Sequence, residues 1–135
     1  MGVFLDMRTS ENSGYVGAPG LPLSESPEPF GVIGLQTQGV INPIITFNGT
    51  VGVTGELGDT FVVEIVRGFQ YDPFFIIYRA EGTIGQNGGA EFHSFTAQDL
   101  AAPPALENVY TSFISGVSTA VRTGPEMFYG IAATN

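Results

Sequence analysis

Glycine and proline break this sequence so often that no stretch of ten residues keeps a helical period. There are 19 Gly and 9 Pro in 135 residues. Between the breaks lie short runs rich in β-branched and aromatic side chains, the pattern of strands separated by turns. Such runs fall at 32–35, 40–47, 50–54, 60–67, 74–81, 91–97, 109–115 and 127–133. Asn48-Gly49 reads as a turn, or as a bulge if the strand continues through it. Gly55 to Asp59 and Thr123-Gly124-Pro125 read as turns, and Pro103-Pro104 makes 101–106 a loop. Short strands at even spacing predict an antiparallel sandwich or barrel. About 105 residues suit a jelly roll of eight to ten strands.

The strand over 60–67 is the clearest. Phe61, Val63 and Ile65 share one face, and Val62, Glu64 and Val66 share the other. The second face is still largely apolar, so it is expected to be partly covered by another chain or sheet. The Phe-Phe-Ile-Ile-Tyr run at 74–78 is apolar on both faces as well. A solitary sandwich buries one face of each sheet, so this excess predicts a subunit interface. Val62, Val66, Phe74 and Ile76 are its candidate residues.

Residues 1–30 have a different texture. Pro19, Pro22, Pro27 and Pro29 alternate with Gly2, Gly14, Gly17 and Gly20, without helical or strand periodicity. Such a segment is expected to be extended and mobile. Apolar residues still punctuate it, which a solvated linker does not need. The division predicted is therefore an extended N-terminal docking arm over 1–30 and a jelly-roll domain over 31–135. Phe4, Leu5, Tyr15 and Leu23 are the arm's candidate anchors. Docked on a sister subunit as an added strand or in a groove, the arm satisfies its backbone groups. Thirty extended residues span up to ~100 Å, enough to reach a neighbouring subunit.

Charge narrows the function. Four Arg and no Lys against 13 Asp plus Glu leave a net charge of −9. Nucleic acid and anionic membranes both require clustered cations, so neither is an expected partner. Charged residues are 13% of the chain and hydrophobic ones 43%, which is a folding composition rather than a disordered one. With no Cys, a disulfide framework, a thiol nucleophile and a cysteine zinc site are all excluded. The start, Met1 to Arg8, is interrupted by Asp6 before an apolar core of signal-peptide length develops. No run approaches the ~20 apolar residues of a membrane span.

His93 is the only histidine, with Ser94 beside it and Asp99 nearby. Neighbours on a strand point to opposite faces, so His93 and Ser94 do not make a catalytic pair. Glu56, Asp59 and Asp72 lie in predicted turns without a recognised calcium-loop spacing. The glycines over 85–89 are followed by neither Lys-Ser/Thr nor a helix, so they do not cradle phosphate. The expectation is no enzyme, no cofactor and no metal.

Five segments in order carry a resemblance. They are Asn48-Gly49-Thr50-Val51-Gly52-Val53-Thr54-Gly55, Val63-Glu64-Ile65-Val66-Arg67-Gly68, His93-Ser94-Phe95-Thr96-Ala97-Gln98-Asp99, Tyr110-Thr111, and the stretch from Gly124-Pro125 through Met127-Phe128-Tyr129 to Ala133. Together they resemble C1q/TNF-like jelly-roll proteins of bacterial spore surfaces, the exosporium and endospore appendage subunits. The resemblance implies a homotrimer, a structural role, and deposition from the mother-cell cytoplasm without a signal peptide. It leaves a calcium near the trimer axis open. Two features depart from it: the chain has no collagen-like repeat before the domain and no Cys for cross-links.

The resulting expectation is a self-assembling subunit of a spore-surface or pilus-like fibre. Trimers of jelly rolls are linked head-to-tail by the arm, and a spore-surface anchor protein is a further partner. The alternative is a trimeric tip that binds a glycan or receptor through the loops at 85–89 and 101–106.

Overall fold

The computed structural model describes every residue except Met1 and Ala18. Among these residues nine strands form two antiparallel sheets. They are β1 (Val3–Ser13), β2 (Leu21–Pro22), β3 (Glu28–Gln36), β4 (Ile44–Thr54), β5 (Thr60–Arg67), β6 (Ile76–Thr83), β7 (Glu91–Asp99), β8 (Glu107–Gly116) and β9 (Val121–Thr134). One sheet runs β1-β9-β4-β7, with β2 continuing the β1 edge along β9. The other runs β3-β8-β5-β6. Consecutive strands repeatedly cross from one sheet to the other, which is the jelly-roll path.

The core fills the space between the sheets. Strand alternation sends Ile45, Phe47 and Val51 of β4 inward, against Ile65 of β5 and Tyr110 of β8. Phe47 meets Tyr110 edge-on at 4.6 Å between centroids and stacks on Phe128 of β9 at 5.7 Å. Gly49 sits mid-strand, where a Cβ would collide with the Phe95 ring. Asn48-Gly49 is therefore neither a turn nor a bulge. The glycine makes room for an aromatic ring, and pairing runs through it on both sides.

The predicted turn at Thr123-Gly124-Pro125 also lies within a strand. There β9 bulges between Arg122 and Glu126, opposite Val51 to Val53. Gly52 permits this, because a Cβ on it would strike the Gly124 carbonyl. The strand expected from residue 74 begins at Ile76. A single 3-10 turn, Pro73–Phe75, precedes it, capped by the Asp72 carboxylate, whose Oδ1 accepts from the Phe74 amide at 2.9 Å.

Two larger expectations change. Residues 1–30 are not an arm separate from the domain. Val3–Ser13 is an edge strand of this chain's own sheet, Leu23 is buried in its core, and β3 begins at Glu28, ahead of the expected boundary at 31. The physical reason is the open edge of β9, whose unpaired amides and carbonyls an extended segment can satisfy. Of that segment, Met1 and Ala18 lie outside the described residues.

The outer face of β5 is covered by the chain itself. Residues 68–75 fold back over it, and the Tyr71 ring packs edge-on against Phe113 of β8 at 5.3 Å. The Tyr71 hydroxyl donates to Glu64 Oε2 at 3.1 Å. Val66 is fully buried as a result.

Candidate functional site

The outward face of the five-stranded sheet is poor in charge. On β9 the alternation that buries Phe128, Gly130 and Ala132 turns Met127, Tyr129, Ile131 and Ala133 outward. Beside them β4 presents Thr46, Asn48 and Thr50. Beyond that, β7 presents Phe92, Ser94, Thr96 and Gln98. On the other flank β1 adds Met7, Thr9 and Glu11, opposite Ile131, Tyr129 and Met127. Glu11 is the only charged residue among these. Cross-strand hydroxyl contacts stiffen the face: Thr96 Oγ1 donates to Asn48 Oδ1 at 3.0 Å, and Thr50 lies 3.4 Å from Ser94.

The residues expected at a subunit interface do not form one surface. Val66 is enclosed by residues 68–75 and is unavailable to another chain, while Val62 and Ile76 are half-buried. Phe74 is 86% exposed. It stands with Ile41, Phe69, Leu100 and Leu106 on the loops at one end of the sandwich, where β3, β5 and β7 finish. Of the expected arm anchors, Leu23 belongs to the core, and Leu5 packs partly against the core of its own chain. Phe4 and Tyr15 are exposed.

The attachment of β1 is polar. Its inward-facing positions are Asp6, Arg8, Ser10 and Asn12, where a core strand would carry apolar residues. Arg8 pairs with Asp6 within β1, and the other three bond to the neighbouring β3 and β9. Asp6 Oδ2 accepts from the Gln36 amide at 2.8 Å, and Ser10 Oγ accepts from the Val32 amide at 3.2 Å. Asn12 Nδ2 donates to Glu126 Oε1 at 2.7 Å. Glu126 is fully buried and forms a two-bond pair with Arg122, at 2.8 Å each. The Gln36 amide is the main reason the Asp6 carboxyl is held below its ordinary value, with Arg8 assisting against partial desolvation. The Glu126 hydrogen bond holds the Arg122 guanidinium above its ordinary value.

A second polar cluster joins the sheets. Asp99, at the end of β7, accepts from Arg67 Nε and Nη2, the Tyr110 hydroxyl at 2.7 Å and the Ala101 amide at 3.0 Å. Burial, reinforced by the Asp99 carboxylate, raises the Tyr110 hydroxyl far above its ordinary value. Burial works against the Arg67 charge, but the Asp99 bonds outweigh it and raise its pKa.

His93 lies at the open side of the sandwich, between β6 and β7. Its ring meets Phe61 at 4.7 Å, and its Nε2 is 3.3 Å from Glu91 Oε1. The cleft there is about 140 Å³, walled by Val51, Phe61, Val63, Tyr78 and Phe95. Ser94 points out of the opposite face, toward Thr50. Among the described residues no three His, Asp or Glu side chains group as metal ligands, and no helix is long and apolar enough to cross a membrane.

No protein-family model matches the sequence, and no curated protein matches it. Solved structures match in shape. The Eiger TNF of S. frugiperda superposes with a TM-score of 0.53 over 98% of this chain and 94% of that one, at 9% identity. Dimeric latent PorU from Porphyromonas gingivalis gives 0.52 over 98% of this chain and 13% of PorU, at 8% identity. A subunit of the disulfide-linked Bacillus endospore appendage pili gives 0.45 over 100% and 90%, at 12% identity. The likeness to Eiger establishes the fold: the chain is a TNF-like jelly roll. The looser superposition on the appendage subunit adds nothing to that.

Proposed function

We propose that this protein is a structural, self-assembling subunit whose jelly rolls associate as trimers and whose trimers join into a fibre on a spore surface. The observation that supports it is the outward face of the five-stranded sheet. In a chain of net charge −9, a large face with Glu11 as its only charge is where copies approach with least repulsion. Its apolar column at Met127, Tyr129, Ile131 and Ala133 gains by leaving water, at about 25 cal/mol per Å² of apolar surface. Three copies around one axis close such a contact, and a further contact that does not close extends the trimers into a filament. The N-terminal segment is the proposed link between trimers. The sequence resemblance supports spore-surface placement and a spore-surface anchor protein as a second partner.

The role is mechanical rather than catalytic. Its lone histidine is engaged with Phe61 and Glu91 on the strand face opposite Ser94.

Light scattering and negative-stain microscopy of the full chain test the reading together. The expected result is trimer-sized particles that grow into fibres as concentration rises. Monomers at every concentration, with specific glycan binding, would replace this reading with the binding-tip alternative.

A further inference from the structure

We infer that β1 is an exchangeable strand: in the assembled fibre it leaves its own β9 and occupies the same slot on a second copy of this chain. The inference rests on the self-assembly reading and specifies the link between subunits.

Four features of the molecule lead there. First, β1 is an edge strand with a single sheet partner, β9. Second, little of the core depends on it. Of its residues only Ser13 is buried, and only Leu5 packs against the core cluster. Strands such as β4, β5 and β8 carry several fully buried side chains each, so their departure would open the core. Third, what holds β1 is a backbone ladder plus hydrogen bonds from Asp6, Ser10 and Asn12. Water replaces such bonds at small net cost, whereas it does not replace apolar packing.

Fourth, the connection to β2 suits a crossing to another molecule. Residues 14–20 include Gly14, Gly17, Pro19 and Gly20. Fully extended they reach about 24 Å, well past the ~10 Å between packed sheets. Within the chain this connection is tied by the Gly17 amide to the Thr123 carbonyl and by the Gly20 amide to the Arg122 carbonyl.

The slot also selects its occupant. Glu126 Oε1, which also accepts from Arg122 Nη2, takes a second donor at the register where β1 supplies Asn12. The Gln36 and Val32 amides find acceptors where β1 supplies Asp6 and Ser10. An unrelated strand without these matched groups forgoes the three bonds and is disfavoured against one that has them. A second copy supplies all three. Contacts made in exchange are the same as those made within one chain, so subunit concentration decides between the two states.

The sequence has no cysteine, which gives a clean test. Val3 and Thr134 face each other across β1 and β9, at the end of the ladder and away from the charge-poor column. The full chain carrying Val3→Cys and Thr134→Cys is assembled, joined with a short bis-maleimide, and run under denaturing conditions. Fibres that yield a covalent ladder of two, three and more chains are the expected result. The Val3→Cys variant alone should stop at two chains. Fibres that yield only single chains closed on themselves would overturn the exchange and leave self-assembly standing. Absence of any assembly in both the variant and the unmodified chain would overturn self-assembly and the exchange with it.

Discussion

Asp99 ties the two sheets together through one buried carboxylate. Bonds from Arg67 on β5, Tyr110 on β8 and the Ala101 amide converge on one buried carboxylate, tying the ends of three strands across both sheets. Tyr110→Phe keeps the ring against Phe47 and removes only the hydroxyl. It should cost about 1.5–3 kcal/mol in chemical denaturation, the range for a bond to a charged group. A variant as stable as the parent would show that Arg67 and the Ala101 amide satisfy Asp99 alone. Gly52→Ala tests packing instead of polarity. Its Cβ meets the Gly124 carbonyl, which is backbone and cannot rotate aside. A loss of about 1–3 kcal/mol is expected from overpacking, again read by denaturation. Neither role was legible in the sequence. Asp99 appears there near His93, and Gly52 only within a strand run and a resemblance segment. Both depend on which distant strand lies opposite, and a strand's own pattern does not encode that.

Among the elements, β5 and β1 mark the two limits of what alternation reveals. The two-sided apolar pattern of 60–67 correctly indicates that both faces are covered. It does not reveal that the cover is residues 68–75 of the same chain, because Tyr71 and the capped turn at Asp72 follow the strand too closely to suggest a return over it. In β1 the rule inverts, with Asp6, Arg8, Ser10 and Asn12 inward and Met7 outward. A strand closing an edge through hydrogen bonds has no apolar inner face, so a search for apolar period misses it.

The polar attachment of β1 gives it a pH dependence. Asp6 titrates lower in the folded protein than its ordinary value of 3.8, so its stabilisation is complete above that pH. It is lost as pH falls through the lower folded value. Amide protection of Met7–Glu11 measured by hydrogen exchange should therefore drop below about pH 4 before that of β4. Asp6→Asn should remove most of this pH dependence. Simultaneous loss of protection in β1 and β4 would show that β1 is integral to the cooperative core.

At the scale of the whole molecule, the spacing of strand runs and breaks carried the fold class. The strand runs were enough for a jelly roll, because eight short runs without helix period have few other solutions. The candidate surface was harder to see. Met127-Phe128-Tyr129-Gly130-Ile131-Ala132-Ala133 is apolar at both parities, so its outward residues are identifiable only once β4 and β1 are placed beside β9. The same ambiguity made Val66 an interface candidate, although it is fully buried within the chain.

The account depends on the outward sheet face meeting another copy. Ile131→Glu places a charge in the centre of that face without touching the core, and sedimentation velocity of parent and variant across a concentration series reads the consequence directly. The parent should sediment as trimers and larger species, and the variant as a monomer with unchanged far-ultraviolet circular dichroism. A parent that remains monomeric, or a variant that assembles as the parent does, would contradict the account.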